Sequence, residues 1–85
     1  MTYTVIILPV AQKQLSKLEK PVQERILAAL ERIRIRPYDF VKKLVGLPYY
    51  RFRVGEYRLI LDIRNNELII FVIEVGHRKN IYDKI

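Results

Sequence analysis

The stretch YYRFRVGEYRLILDIRNNELIIFVIEV, residues 49–75, decides the fold. It is dense in β-branched, aromatic and other apolar residues, and turn chemistry interrupts it at Gly55-Glu56 and Asn65-Asn66. These two breaks predict three strands, over residues 49–54, 57–64 and 67–75, joined as an antiparallel meander. Alternation then sorts the side chains onto two faces. Tyr50, Phe52 and Val54 share one face, and Tyr49, Arg51 and Arg53 share the other. In the next strand Leu59, Leu61 and Ile63 are apolar, while Arg58, Ile60, Asp62 and Arg64 alternate with them. One face therefore builds a core. The other is expected to be exposed and to gather Arg51, Arg53 and Arg58, with Arg78 following the third strand and Tyr49, Tyr57 and Tyr82 adding rings.

Working outward, Pro37-Tyr38-Asp39-Phe40 and Leu44-Val45-Gly46-Leu47-Pro48 carry turn chemistry, so the segment between the two halves reads as a connector. Upstream of it the apolar period becomes helical. Ala11, Leu15 and Leu18 form one stripe, Pro21 opens a second run, and Val22, Ile26, Leu30 and Ile33 continue along one side of it. A helical hairpin results, whose interleaved Lys, Arg and Glu read as a solvated surface. Residues Thr2 to Leu8 are β-branched and aromatic and stop at Pro9, as a strand handing over to a helix does. Downstream, Gly76 ends the meander, and Ile81 and Ile85 are spaced for a short terminal helix at most. The fold class is α+β in the order β-α-α-β-β-β, with a short C-terminal segment, helices packed on one sheet face and a single domain over residues 1–85.

With 85 residues, 51% hydrophobic and 29% charged, the chain has one core and little interior left for a large cofactor. The absence of Cys removes disulfides, Cys-based zinc sites and thiol nucleophiles together. One histidine cannot form a His-pair metal site, the three glycines are isolated, and Ser16 is the sole serine, with no elbow motif around it. No basic leader and no membrane-length apolar run is present, so a cytoplasmic location is expected. The 16 basic and 9 acidic residues leave a net charge of +7, spread over both halves of the chain. Such a body favours a polyanion or an acidic protein partner. Guanidinium groups pair phosphates bidentately and planar rings stack on unpaired bases, so the arginine face suits RNA. The same arginines also serve to blunt sheet edges, with Asp62 and Glu74 as counter-charges.

Two runs bring a family into view. Tyr50-Arg51-Phe52-Arg53-Val54-Gly55-Glu56-Tyr57-Arg58-Leu59-Ile60, followed by Val72-Ile73-Glu74-Val75-Gly76-His77-Arg78-Lys79-Asn80-Ile81-Tyr82, resembles the RelE branch of the RelE/ParE toxin superfamily. The Lys43-Leu44-Val45-Gly46-Leu47 element precedes the sheet in the expected order, and the resemblance covers nearly the whole chain. It implies the toxin of a type II toxin–antitoxin pair, an endoribonuclease that enters the ribosomal A site and cuts mRNA through the RNA's own 2′-hydroxyl, with no metal or cofactor. It also implies a small acidic RelB-like antitoxin in a hetero-oligomer, a monomeric toxin when alone, the ribosome and mRNA as further partners, and no membrane.

Carried over by position, Arg51 and Arg53 match the family's paired basic residues, Arg58 its next arginine, Arg78 the arginine after the Gly, and Tyr82 the C-terminal tyrosine. The resemblance assigns Arg58 and Arg78 to phosphate and transition-state charge and Tyr82 to base stacking, and Lys79 joins the RNA-binding set. One departure stands out, because bacterial relatives place lysines at the Arg51 and Arg53 positions, and a guanidinium is a poor proton acceptor. His77 is of the residue type suited to proton transfer, with Glu74 and Glu56 as alternatives. Two other readings stay open: a ParE-like inhibitor of DNA gyrase, and an inactive relative that only binds its antitoxin.

Overall fold

The computed structural model describes residues 2–77. The chain runs β1 (Thr4–Ile7), α1 (Pro9–Ser16), α2 (Lys20–Ile33), a 3-10 turn (Pro37–Asp39), β2 (Val41–Lys43), β3 (Tyr50–Val54), β4 (Tyr57–Arg64) and β5 (Ile69–His77). All five strands form one sheet in the order β1-β5-β4-β3-β2. β1 lies parallel to β5, and every other pairing is antiparallel. The α+β plan, the hairpin of helices and the meander stand as the sequence predicts, with one addition. The connector contains β2, three residues paired to β3 through Lys42 opposite Arg51 and Lys43 opposite Tyr50. Val41-Lys42-Lys43 is too short and too polar to show a strand period, so only its partner's register defines it.

Two further boundaries move. The Asn65-Asn66 break is a four-residue turn, since Arg64 pairs with Ile69 and the left-handed conformation falls on Leu68 at φ 55°. A shift of two residues preserves the alternation of faces as far as Val72. Gly76 does not end the sheet, because β5 continues to His77. The predicted terminal helix lies outside the described residues.

The helices cover one face. Ala11 and Leu15 from α1 and Ile26, Leu30 and Ile33 from α2 pack on Phe52, Val54, Leu59, Leu61, Ile63, Ile70, Val72 and Val75. Ile26, Ile33, Leu59, Leu61, Ile70 and Val72 are fully buried, each contributing about 1.5–3 kcal/mol through loss of apolar surface to water. Pro lies in the first turn of both helices, where its missing N–H costs nothing. Gln23 ties their junction by donating to the Leu18 carbonyl at 2.7 Å.

A β-bulge sets the register that matters for function. Leu61 pairs with Val72 but Ile60 pairs with Glu74, so Ile73 is the extra residue. Strict alternation after Ile70 and Val72 would drive Glu74 into the core. The bulge instead places Val75 beside Leu59 in the core and Gly76 beside Arg58 on the opposite face. β1 pairs with β5 only as far as Val72, and α1 closes the edge beyond it: the Val75 N–H donates to Gln14 Oε1 at 2.7 Å.

Candidate active site

On the sheet face away from the helices, the pairing register builds two rows. Lys42, Arg51, Ile60 and Glu74 form one, across β2, β3, β4 and β5; Arg53, Arg58 and Gly76 form the next. The turn between β3 and β4 fixes the second row. Gly55 takes φ 59° at the first of two central positions, the type II′ preference for glycine, and this sets Arg53 directly opposite Arg58.

Phe40, Lys42, Arg51, Arg53 and Arg58 line a cleft of about 140 Å³. Among the described residues no carboxylate lines it. Arg53 is exposed and donates from Nε to the Gly55 carbonyl at 3.2 Å, whereas Arg58 is only 5% exposed. The arginine face is therefore a recess rather than the open surface expected from alternation. Like charges directly opposite each other on neighbouring strands are destabilising, so setting Arg53 against Arg58 opposes folding and favours a bound anion. A buried guanidinium also acts more strongly on a nearby anion than one in bulk water.

The structure brings together Arg51, Arg53 and Arg58 of the predicted site. It does not bring His77 to them: His77 pairs with Tyr57 on the helix-packed face, their rings meeting edge to face at 5.6 Å. Tyr57 packs against the core from that face, so it does not interleave with the arginines as expected. Glu74 stands two strands from Arg51, within 3.5 Å of Gln14 Nε2, and Asp62 accepts from Arg64 Nε at 3.0 Å. Glu56 sits in the β3–β4 turn and does not line the cleft. Arg78, Lys79 and Tyr82 lie outside the described residues.

Two lining residues escaped the sequence reading. Lys42 enters through the pairing of β2, and Phe40, 46% exposed, supplies the cleft's ring. An aromatic just before a cationic strand was the available signal. A hydrogen-bonded latch holds the segment that carries both: Tyr38 and Tyr3 donate to Asn65 Oδ1 at 2.8 and 2.7 Å, and the Tyr38 ring meets Tyr50 edge to face at 5.3 Å. Burial raises the Tyr38 phenol above its ordinary value of 10.0, and the Tyr50 phenol adds to the rise while the Asn65 bond opposes it.

Chemically, the cleft can hold an anion of phosphate size with an aromatic plane at its rim. Among the described residues no three His, Cys, Asp or Glu side chains are grouped as a metal site requires, and no helix is long and apolar enough to cross a membrane.

A family model described as the ParE toxin of type II toxin–antitoxin systems, parDE, matches residues 5–82. Toxin RelE3 of Methanocaldococcus jannaschii is 50% identical over 44 residues, which are 51% of this chain and 48% of that protein, so the match spans about half of this curated relative. Among solved structures, the RelBE2 toxin–antitoxin complex of Mycobacterium tuberculosis aligns with a TM-score of 0.86 at 25% identity over 92% of this chain and 100% of that one. The archaeal RelE–RelB complex of Pyrococcus horikoshii OT3 aligns with a TM-score of 0.79 at 30% identity over 92% and 97%.

Proposed function

The chain belongs to the ParE toxin family within the RelE/ParE superfamily of type II toxin–antitoxin systems, and from that premise we propose that it is a ribosome-dependent endoribonuclease that cuts mRNA in the A site. The observation that carries this reading is the recess in which Arg51, Arg53, a buried Arg58 and Lys42 converge beside the Phe40 ring. A reaction in which the 2′-hydroxyl attacks the adjacent phosphorus needs alignment of ribose and phosphate and stabilisation of added negative charge. In this reading Arg53 and Arg58 clamp the non-bridging oxygens, Arg51 holds the neighbouring phosphate, and Phe40 stacks on an unpaired base. By resemblance Arg78, Lys79 and Tyr82 extend the same set.

The proposed partner is a small acidic RelB-like antitoxin, supported by the net charge of +7 and by the two solved relatives, each a toxin–antitoxin complex. A second groove, about 320 Å³, runs between α2 and β3, with Ala29, Ile33 and Phe52 as apolar floor and Arg25 and Arg32 at its rim. That pairing suits an acidic amphipathic segment. Phe40 and Arg53 line both recesses, so a partner seated in the groove reaches the cleft and covers it.

The description of the matching family favours a second reading, ParE-like inhibition of DNA gyrase. Parallel assays separate the two. Arrest of a purified translation system with gyrase supercoiling unaffected is expected; inhibited supercoiling with translation untouched would replace the ribonuclease reading.

A further inference from the structure

The ribonuclease reading leaves the proton of the attacking 2′-hydroxyl without an acceptor, and the lining of the cleft supplies one. We propose that Lys42 takes that proton. Of the five lining side chains, Phe40 has no basic group, and a guanidinium, the group of Arg51, Arg53 and Arg58, is a poor proton acceptor. An amine can give up its proton and take it back. Lys42 stands directly opposite Arg51, a placement that brings their Cβ atoms to about 5 Å, inside the array that would hold the scissile phosphate.

Among the described residues, the charged side chains that line the cleft with Lys42 are all cations. Arg51 and Arg53 line the cleft from β3 and Arg58 from β4, while Phe40, just after the 3-10 turn, contributes its ring. Lys43, next along β2, turns to the other face, its Nζ 5.7 Å from the Tyr50 ring centroid. The other candidates for proton transfer lie elsewhere: His77 on the helix side against Tyr57, Glu74 beside Gln14, and Glu56 in the turn.

The neutral amine of Lys42 accepts the 2′-hydroxyl proton as the O2′–P bond forms. The P–O5′ bond breaks, O5′ takes a proton from water, the hydroxide so formed takes the proton back from Lys42, and the products are a 2′,3′-cyclic phosphate and a 5′-hydroxyl.

This inference rests on the ribonuclease reading, and one set of measurements separates their failures. Single-turnover cleavage of a defined mRNA on programmed ribosomes is followed from about pH 6 to pH 9 for the unaltered toxin, Lys42→Arg and Lys42→Cys. RNA affinity and thermal unfolding are recorded for each. Lys42→Arg keeps its charge and is expected to bind RNA within about twofold while cleaving about 10²–10⁴-fold more slowly, with the rise of rate with pH abolished. The chain has no native Cys, so Lys42→Cys can be aminoethylated at that position alone, and the restored amine should restore pH-dependent cleavage. Lys42→Arg cutting within about threefold of the unaltered toxin, with the same pH profile, would overturn the role of Lys42 and leave the ribonuclease reading standing. Uncut mRNA with the unaltered toxin would overturn both.

Discussion

Arg53 and Arg58 are paired across neighbouring strands where like charges oppose each other, a placement that folding alone disfavours. If the arrangement exists for an anionic substrate, Arg53→Ala should stabilise the toxin by about 0.2–1 kcal/mol in denaturant titrations while lowering its cleavage rate. Equal or lower stability would mean that the repulsion is already relieved within the fold. Tyr38 gives a second prediction at this scale. Its folded-state value lies above the ordinary 10.0, so its contribution to stability is complete below about pH 10 and is lost as pH rises through the folded-state value. Tyr38→Phe should cost about 0.5–1 kcal/mol at neutral pH through the lost bond to Asn65, and the gap to the unaltered toxin should narrow above pH 10 in pH-dependent unfolding. Three site residues were legible in the sequence, because Arg51, Arg53 and Arg58 sit on strands whose alternation is plain. Lys42 and Phe40 were not, because their position depends on a three-residue strand that has no period of its own.

The β3–β4 hairpin is the element that makes the site, and its turn depends on one residue. Gly55 holds φ 59°, while the space around it is open enough for a methyl group, which would meet Arg25 Nη1 as its nearest neighbour at 3.7 Å. Gly55→Ala should therefore cost about 1–2 kcal/mol from backbone conformation alone, read as a lower denaturation midpoint at unchanged slope. The helices were legible from their stripes and opening prolines, and the strands from their turns. The bulge at Ile73 was not, since an apolar residue at that point reads equally well as part of an unbroken strand. Yet the bulge moves Glu74 out of the core and sets Gly76, which has no side chain, beside Arg58.

For the whole molecule, a net charge of +7 gathers its most concentrated expression in one recess. If the four lining cations each neutralise a phosphate, the affinity for single-stranded RNA should fall with a log–log salt slope of about −3, or about 50-fold between about 50 and 200 mM salt. A flat dependence would mean that the recess does not hold the RNA backbone. The parallel β1–β5 pair, joining the first strand to the last, makes β1 one edge of the sheet, and the helices pack on the face opposite the cleft. The sheet therefore carries the cleft's cations on one face and the core on the other. The most direct test of the central claim is primer extension on a defined mRNA, with and without programmed ribosomes, comparing the unaltered toxin with Arg58→Ala. Cuts confined to the A-site codon, dependent on the ribosome and reduced about 10²–10³-fold by Arg58→Ala in a protein that still folds, are the predicted result. Intact mRNA on ribosomes bound by the folded toxin, or cuts that persist at full rate without Arg58, would contradict it.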